Sequence, residues 1–284
     1  MSFQLKLTYP AKQRSKNSLI RQGLNQEIEY DKWHLPGQKE KKSDCGLWSY
    51  MGCTHTEKHA NGKIFLKPFE RSCFRADCEK CCYKWLGRSA SKATERIKHY
   101  ENQSKRPAKH IIISVPHWDY YKPKKELSKK VHEILRFVKC DSGLIIFHPF
   151  RYHKNTKQWY YSPHFHVLGF GWIENTVETY NENGYIVKNL GKRVTVFGTI
   201  YYQLSHAGVK RHNHSLTYFG DCSYCKLILP KNEEESNKCP YCEEYLVELD
   251  YNKDCSYPPD PNIVTVDGLI EVYDWFVKSP YQKI

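Results

Sequence analysis

The sequence predicts an α+β fold built on a central antiparallel sheet. Three observations carry that prediction. Apolar runs of strand length occupy 109–115, 143–152 and 159–170, the last two joined by a short polar turn. Apolar residues recur at helical spacing over 124–139 and 194–208. The order is strand, helix, hairpin, helix, strand, which suits a sheet with helices on one face better than repeated crossover units. Cysteine-rich segments flank this core on both sides.

Residues 1–43 are polar, basic and weakly patterned, and read as a loose arm with at most a short helix. Its cations can meet phosphates or stay solvated. Residues 44–86 contain Cys45, Cys53, Cys73, Cys78, Cys81 and Cys82. Cys78 and Cys81 form a Cys-x-x-Cys knuckle, which brings two thiolates onto one tetrahedral zinc ion. Cys53 and Cys73 are the expected remainder of the set, with Cys45, His55, His59 and Cys82 as competitors. So small a segment buries too little apolar surface to fold without its ion. From Trp85 to Tyr100 a helix is expected, with Arg88, Lys92, Arg96 and Lys98 on a face open to phosphates or to solvent.

Lys109 to Val115 reads as a strand ended by Pro116, and Lys124 to Lys139 as a helix with Leu127, Val131, Ile134 or Leu135, and Val138 on its core face. Gly143 to Tyr152 and Trp159 to Phe170 form a hairpin that folds near Thr156. Asn183-Gly184 suits a turn. Val194 to Gly208 reads as a helix with a glycine stop, and His214 to Gly220 as a further strand. Next comes Cys222-x2-Cys225-x13-Cys239-x2-Cys242, the spacing of a four-cysteine zinc ribbon. The acidic stretch Glu233–Glu235 argues against that tip meeting phosphates, so the ribbon is structural or binds protein. Cys140 and Cys255 have no evident partner, Pro258, Pro259 and Pro261 mark a turn or linker, and 264–275 holds a short apolar segment without a role. The expected division is 1–104 for arm and zinc module, 105–220 for the core domain, and 221–284 for ribbon and tail.

The chemistry is concentrated at His164-Phe165-His166. Side chains on a strand alternate, so both imidazoles share one face and suit a divalent ion. If the hairpin folds near Thr156, His148 lies opposite His164 and becomes a third ligand, with Pro149 at a bulge. A one-residue slip would turn His148 away. On the 194–208 helix, Phe197, Ile200 or Tyr201, and Leu204 make the core stripe. Tyr202 and His206 lie together on a neighbouring face. A phenol beside a potential base, near an ion, can act as a nucleophile. The competing reading makes both Tyr201 and Tyr202 packing residues.

Net charge is +13 over 284 residues, which favours a polyanionic partner, most simply nucleic acid. The chain has 22 tyrosines and 7 tryptophans, which can stack on bases or simply fill a core. No apolar run is long enough to span a bilayer, and the N-terminus lacks the apolar core of a signal peptide. A cytoplasmic location and no membrane partner are therefore expected. In that compartment the 12 cysteines are better read as metal ligands than as disulfides. No Walker-type loop is present, so unwinding would come from a host helicase.

These motifs together resemble the HUH endonucleases, and among them the rolling-circle replication initiators of archaeal plasmids and viruses. Lys109 to Pro116 is similar to the family's first motif, Pro163-His164-Phe165-His166 to its second, and the helix of Tyr201 and Tyr202 to its third. The likeness covers roughly 105–220, and the N-terminal cysteine segment also resembles that of archaeal members. It implies a sheet with the topology of RNA-recognition folds. It further implies metal-dependent nicking and strand transfer of single-stranded or hairpin origin DNA through a 5′-phosphotyrosine, with host helicase and polymerase as partners.

Under this resemblance Mg²⁺ or Mn²⁺ sits on His164, His166 and His148, Tyr202 attacks, Tyr201 is the reserve, and His206 assists. Many initiators place a lysine after the tyrosine, where this chain has Ser205 and His206. The alternatives are a non-catalytic zinc-bearing DNA-binding protein, and an HUH transposase or relaxase.

Overall fold

The computed structural model describes residues 28–59, 63–230, 238–249, 258–259 and 270–273. Most of the basic arm, the Glu233–Glu235 loop, Cys255, Pro261 and the rest of 264–275 lie outside the described residues. In chain order the elements are β1 (Glu29–Tyr30), β2 (Trp33–His34), β3 (Trp48–Gly52), β4 (Lys63–Glu70), α1 (Cys82–Ser104), β5 (Lys109–Ser114), α2 (Lys124–Phe137), β6 (Cys140–His153), β7 (Gln158–Gly171), α3 (Thr176–Asn183), β8 (Ile186–Lys192), α4 (Val196–Leu204), β9 (Leu216–Phe219), β10 (Val247–Leu249) and β11 (Ile270–Tyr273).

Antiparallel pairing joins five strands in the order β8-β5-β7-β6-β9, and four in the order β10-β3-β4-β11. With four helices among the described residues, the class is α+β. The long hairpin of β6 and β7 is the spine of the larger sheet. His148 faces His164 across it, and the register shifts between His148 and Phe150, which puts Pro149 in a bulge. Proline can sit there because a bulge removes the demand for its missing N–H.

Helices were expected on one face of the sheet and are found on both. One apolar layer joins Ile145, Phe147, Phe165 and Val167 to Leu127, Val131 and Ile134 of α2. The other joins Leu144, Ile146, Leu168 and Phe170 to Leu86, Ala90 and Ile97 of α1 and to Ile200 and Leu204 of α4. The cause is in the strands: β6 and β7 are apolar at successive positions, so each face must be covered. Asn183-Gly184, expected as a turn, is the C-terminal stop of α3, with Gly184 left-handed at φ 72° and its N–H donating to the Tyr180 carbonyl at 2.8 Å.

The smaller sheet is drawn from distant segments. β10 and β11, from the expected C-terminal module, pair with β3 and β4 of the N-terminal module. Its core is small: Tyr50, Ile64, Leu66, Leu249 and Ile270.

Candidate active site

His148 comes from β6 and His164 and His166 from β7, all three on the face that α1 and α4 partly cover. Ring centroids lie 5.1 Å apart for His148–His164, 4.4 Å for His148–His166 and 5.1 Å for His164–His166. One nitrogen from each ring falls within 4.8 Å of the others, the arrangement of a three-imidazole metal site. All three rings are buried. Burial, reinforced by neighbouring charge, holds His148 and His166 well below the usual imidazole range and pushes His164 down to about 3. The rings are therefore neutral, the form that ligates.

Each imidazole is held differently. His164 donates from Nδ1 to the Ser162 carbonyl at 2.9 Å, which leaves Nε2 as its lone pair. His148 is the anomaly. Both of its nitrogens are buried without a partner at full hydrogen-bond geometry, although the Gln203 carbonyl is close enough to favour its proton. An orphaned buried imidazole costs stability unless something satisfies it, and an ion does so. The donor set thus fits a divalent cation.

His166 reaches His110 of β5, Nδ1 to Nε2 at 2.8 Å. Arg193 donates to the far nitrogen of His110, Nδ1, at 3.0 and 2.9 Å. Guanidinium has no lone pair to offer, so His110 keeps its proton on Nε2 and gives that hydrogen bond to His166. Burial first, and the Arg193 charge second, push His110 down to about 4, so the ring stays neutral. Neither residue stood out in the sequence. His110 lies in a run read as wholly core-forming, and its signal was its place on the polar side of that alternation, in step with Ile112 and Ser114. Arg151 was missed as well. It donates to Ser114 Oγ at 2.8 Å, and its charge bears on His164.

Helix α4 brings the phenol. Thr195 caps it by accepting from Gly198 N–H at 3.2 Å. Tyr202 and His206 share one side, with rings 4.9 Å apart edge to face. The His206 ring is 4.4 Å from His148 and so bridges the phenol and the imidazole cluster. The Ser205 hydroxyl donates to the Tyr202 carbonyl at 2.7 Å and accepts from His206 Nδ1 at 3.2 Å, which leaves His206 Nε2 as a lone pair. Burial pushes His206 down to about 4 and raises the Tyr202 phenol. Tyr202 remains half exposed, whereas Tyr201 packs on the α1 side of the core beside Phe197.

No family model, no curated protein and no solved structure matches this chain.

The cysteines assemble differently from expectation. Cys45, Cys73, Cys78 and Cys81 converge in one group, with Cys45 in the place expected for Cys53. Strand β3 explains the exchange. Cys45 precedes it and Cys53 follows it, and eight residues at a rise of ~3.3 Å separate the two by up to about 26 Å. Cys53 instead joins His59, Cys239 and Cys242. Both groups have the donors of a structural zinc site.

Cys222 and Cys225 belong to neither group, so the four-cysteine ribbon is not formed. Cys222 is buried in the apolar layer beneath α1, and Cys225 is exposed. Arg96 accounts for this. Its buried guanidinium donates to the carbonyls of Cys222, Ser223 and Leu227 at 3.2, 3.4 and 2.8 Å, and lies over the rings of Tyr218 and Tyr224. The loop is organised around a cation of the chain. Of the expected basic face on that helix, Arg96 is therefore an internal strut rather than a phosphate contact.

Proposed function

We propose that this chain is an HUH-type endonuclease and strand transferase acting on single-stranded or hairpin DNA, of the kind that initiates rolling-circle replication. One observation carries the reading: three buried neutral imidazoles converge on a single point, and a half-exposed phenol on the adjoining helix touches that cluster through His206. A structural zinc site is an inferior explanation, because none of its donors would be a thiolate and a half-exposed phenol stands beside it.

His148, His164 and His166 would hold the ion. An all-nitrogen set suits Mn²⁺ better than Mg²⁺. Such an ion supplies polarisation of the scissile phosphate and offsets the charge that builds on its oxygens. The chain's own groups do the rest. Tyr202 Oη attacks phosphorus in line, the P–O3′ bond breaks, the DNA 5′-phosphate stays on the phenol oxygen, and the 3′-oxygen leaves with a proton as a free hydroxyl. The polarity of that linkage is the one the resemblance implies. His206, whose ring lies 4.9 Å from the phenol, would orient it and take its proton at Nε2. Arg151 is suited to bind a non-bridging oxygen or the neighbouring phosphate. Tyr160, half exposed on the same face of β7, offers a stacking surface for a base. The reverse reaction rejoins strands, with the 3′-hydroxyl attacking the phosphotyrosine.

The test is mass spectrometry of the adduct formed with a single-stranded oligonucleotide and Mn²⁺. Tyr202→Phe should abolish the adduct, Tyr201→Phe should keep it, and joint His164→Ala and His166→Ala should lose it. An adduct on Tyr201 would move the nucleophile and keep the reaction class. Adduct formation that survives loss of both histidines would end the metal-assisted reading. A zinc-bearing DNA-binding protein without catalysis is the reading left if the wild-type chain binds DNA and never forms an adduct.

A further inference from the structure

The second cysteine group is unusual in where its ligands come from. Cys53 follows β3, His59 precedes β4, and Cys239 and Cys242 precede β10. Cys53 Sγ lies 3.3 Å from Cys242 Sγ, and His59 Nε2 lies 3.4 Å from Cys242 Sγ and 3.3 Å from Cys239 Sγ. Bare thiols and an imidazole gathered this closely leave a centre for one tetrahedral ion. His59 Nδ1 donates to the Lys63 carbonyl at 2.6 Å, which fixes the tautomer whose Nε2 lone pair faces the sulfurs. Cys239 N–H and Glu243 N–H close a tight turn with the carbonyls of Glu244 and Cys239 at 2.7 and 3.0 Å, so Cys239 and Cys242 sit on a knuckle.

We propose that Cys53, His59, Cys239 and Cys242 hold one structural zinc ion, and that this ion fastens residues 238–249 to the β3–β4 hairpin. Apart from these ligands the segment is held by a short strand, by the Tyr241 ring 4.1 Å from that of Phe65, and by buried Leu246 and Leu249. β10 has three residues, paired as Val247↔Gly52, Glu248↔Met51 and Leu249↔Tyr50. Its polar ties include Ser49, which is buried, to Glu248 at 2.8 Å, and the more exposed Lys58–Glu244 pair at 2.6 Å and Arg71–Glu248 pair. Exposed ion pairs of this kind add little to stability. The apolar core beneath is correspondingly small. A sheet of this size ordinarily needs a staple, and a metal that joins ligands 189 residues apart closes a long loop of chain. Gly52 shows how tightly the strands are drawn in, since a Cβ there would meet Leu249 Cδ1 at 2.5 Å.

The experiment measures zinc per chain on the purified full-length protein, together with amide hydrogen exchange. Two zinc ions are expected in the wild type, one in His59→Ala and in Cys242→Ser, and two in Cys222→Ser and Cys225→Ser. Amide protection at 247–249 should fall at least tenfold in His59→Ala while that of β6 and β7 persists. Because a ligand deletion can simply unfold the small sheet, His59→Cys decides the question. It should regain two ions, restore protection, and shift the Co²⁺ d–d bands to lower energy as sulfur replaces nitrogen. A zinc content that is the same in the wild type, His59→Ala and Cys242→Ser would overturn the proposal. So would zinc lost from Cys222→Ser or Cys225→Ser but kept in His59→Ala, or unchanged protection at 247–249 without the ion. None of these readings depends on nicking.

Discussion

At the scale of single residues, the candidate site is a question of which nitrogen carries which proton. His164 has its tautomer set by the Ser162 carbonyl, and His148 has nothing comparable. His166 is subtler. Arg193 obliges His110 to donate to His166 Nδ1, so His166 carries its own proton on Nε2, the nitrogen a metal would take. The Arg193 contact and ion binding therefore compete, while the His110 ring still fixes the orientation of His166. His110→Ala should raise Mn²⁺ affinity, because nothing then forces the His166 proton onto Nε2. Arg193→Met should raise it, because His110 is then free to accept. Calorimetric Mn²⁺ titration of both variants checks the pair, and a loss of affinity in Arg193→Met would refute the competition. The three metal-candidate histidines could be read from strand alternation and the length of one turn. His110 was overlooked, because an apolar run masks the weak alternation that sets it in step with Ser114.

At the scale of elements, the hairpin register and the α4 face were legible for a shared reason: each follows from a local period and a nearby stop signal. Placement of helices on both sheet faces was not, because it depends on successive apolar residues in β6 and β7 both being buried. The link between α4 and the hairpin is the Gly208 turn. Gly208 N–H donates to the Phe147 carbonyl at 2.8 Å, next to His148. A Cβ at Gly208 would stand 2.6 Å from Pro149 Cδ and 2.9 Å from Trp33 Cε3. Neither a proline ring nor an indole can swing aside, so the end of α4 must move. Gly208→Ala should cost roughly 1–3 kcal/mol of stability by overpacking. It should also slow adduct formation, because His206 and Tyr202 ride on the displaced helix. Thermal melting and adduct yield measured together check this. Wild-type values for both would mean that the turn relaxes without moving the phenol.

At the scale of the molecule, connectivity and charge are what remain. The small sheet could not be foreseen, because cysteine spacing counts residues along the chain, whereas ligand sets are chosen by which strand ends meet in space. Charge was legible, since it needs no geometry: 44 lysines and arginines against 31 acidic residues. Ion pairs such as Lys39–Glu29, Arg106–Asp141 and Lys139–Glu174 are exposed and so leave the long-range field to the net excess. If the partner is single-stranded DNA, affinity must be governed by counterion release. On the order of five phosphate contacts at about −0.7 per contact gives a log–log salt slope near −3.5, or about a hundredfold loss between 50 and 200 mM salt. Fluorescence anisotropy of a labelled single strand across that range measures it. His164→Ala should change the adduct yield but leave this slope alone, because an imidazole buried neutral releases no counterion. A flat salt response would remove nucleic acid as the partner, whatever ion the three imidazoles hold.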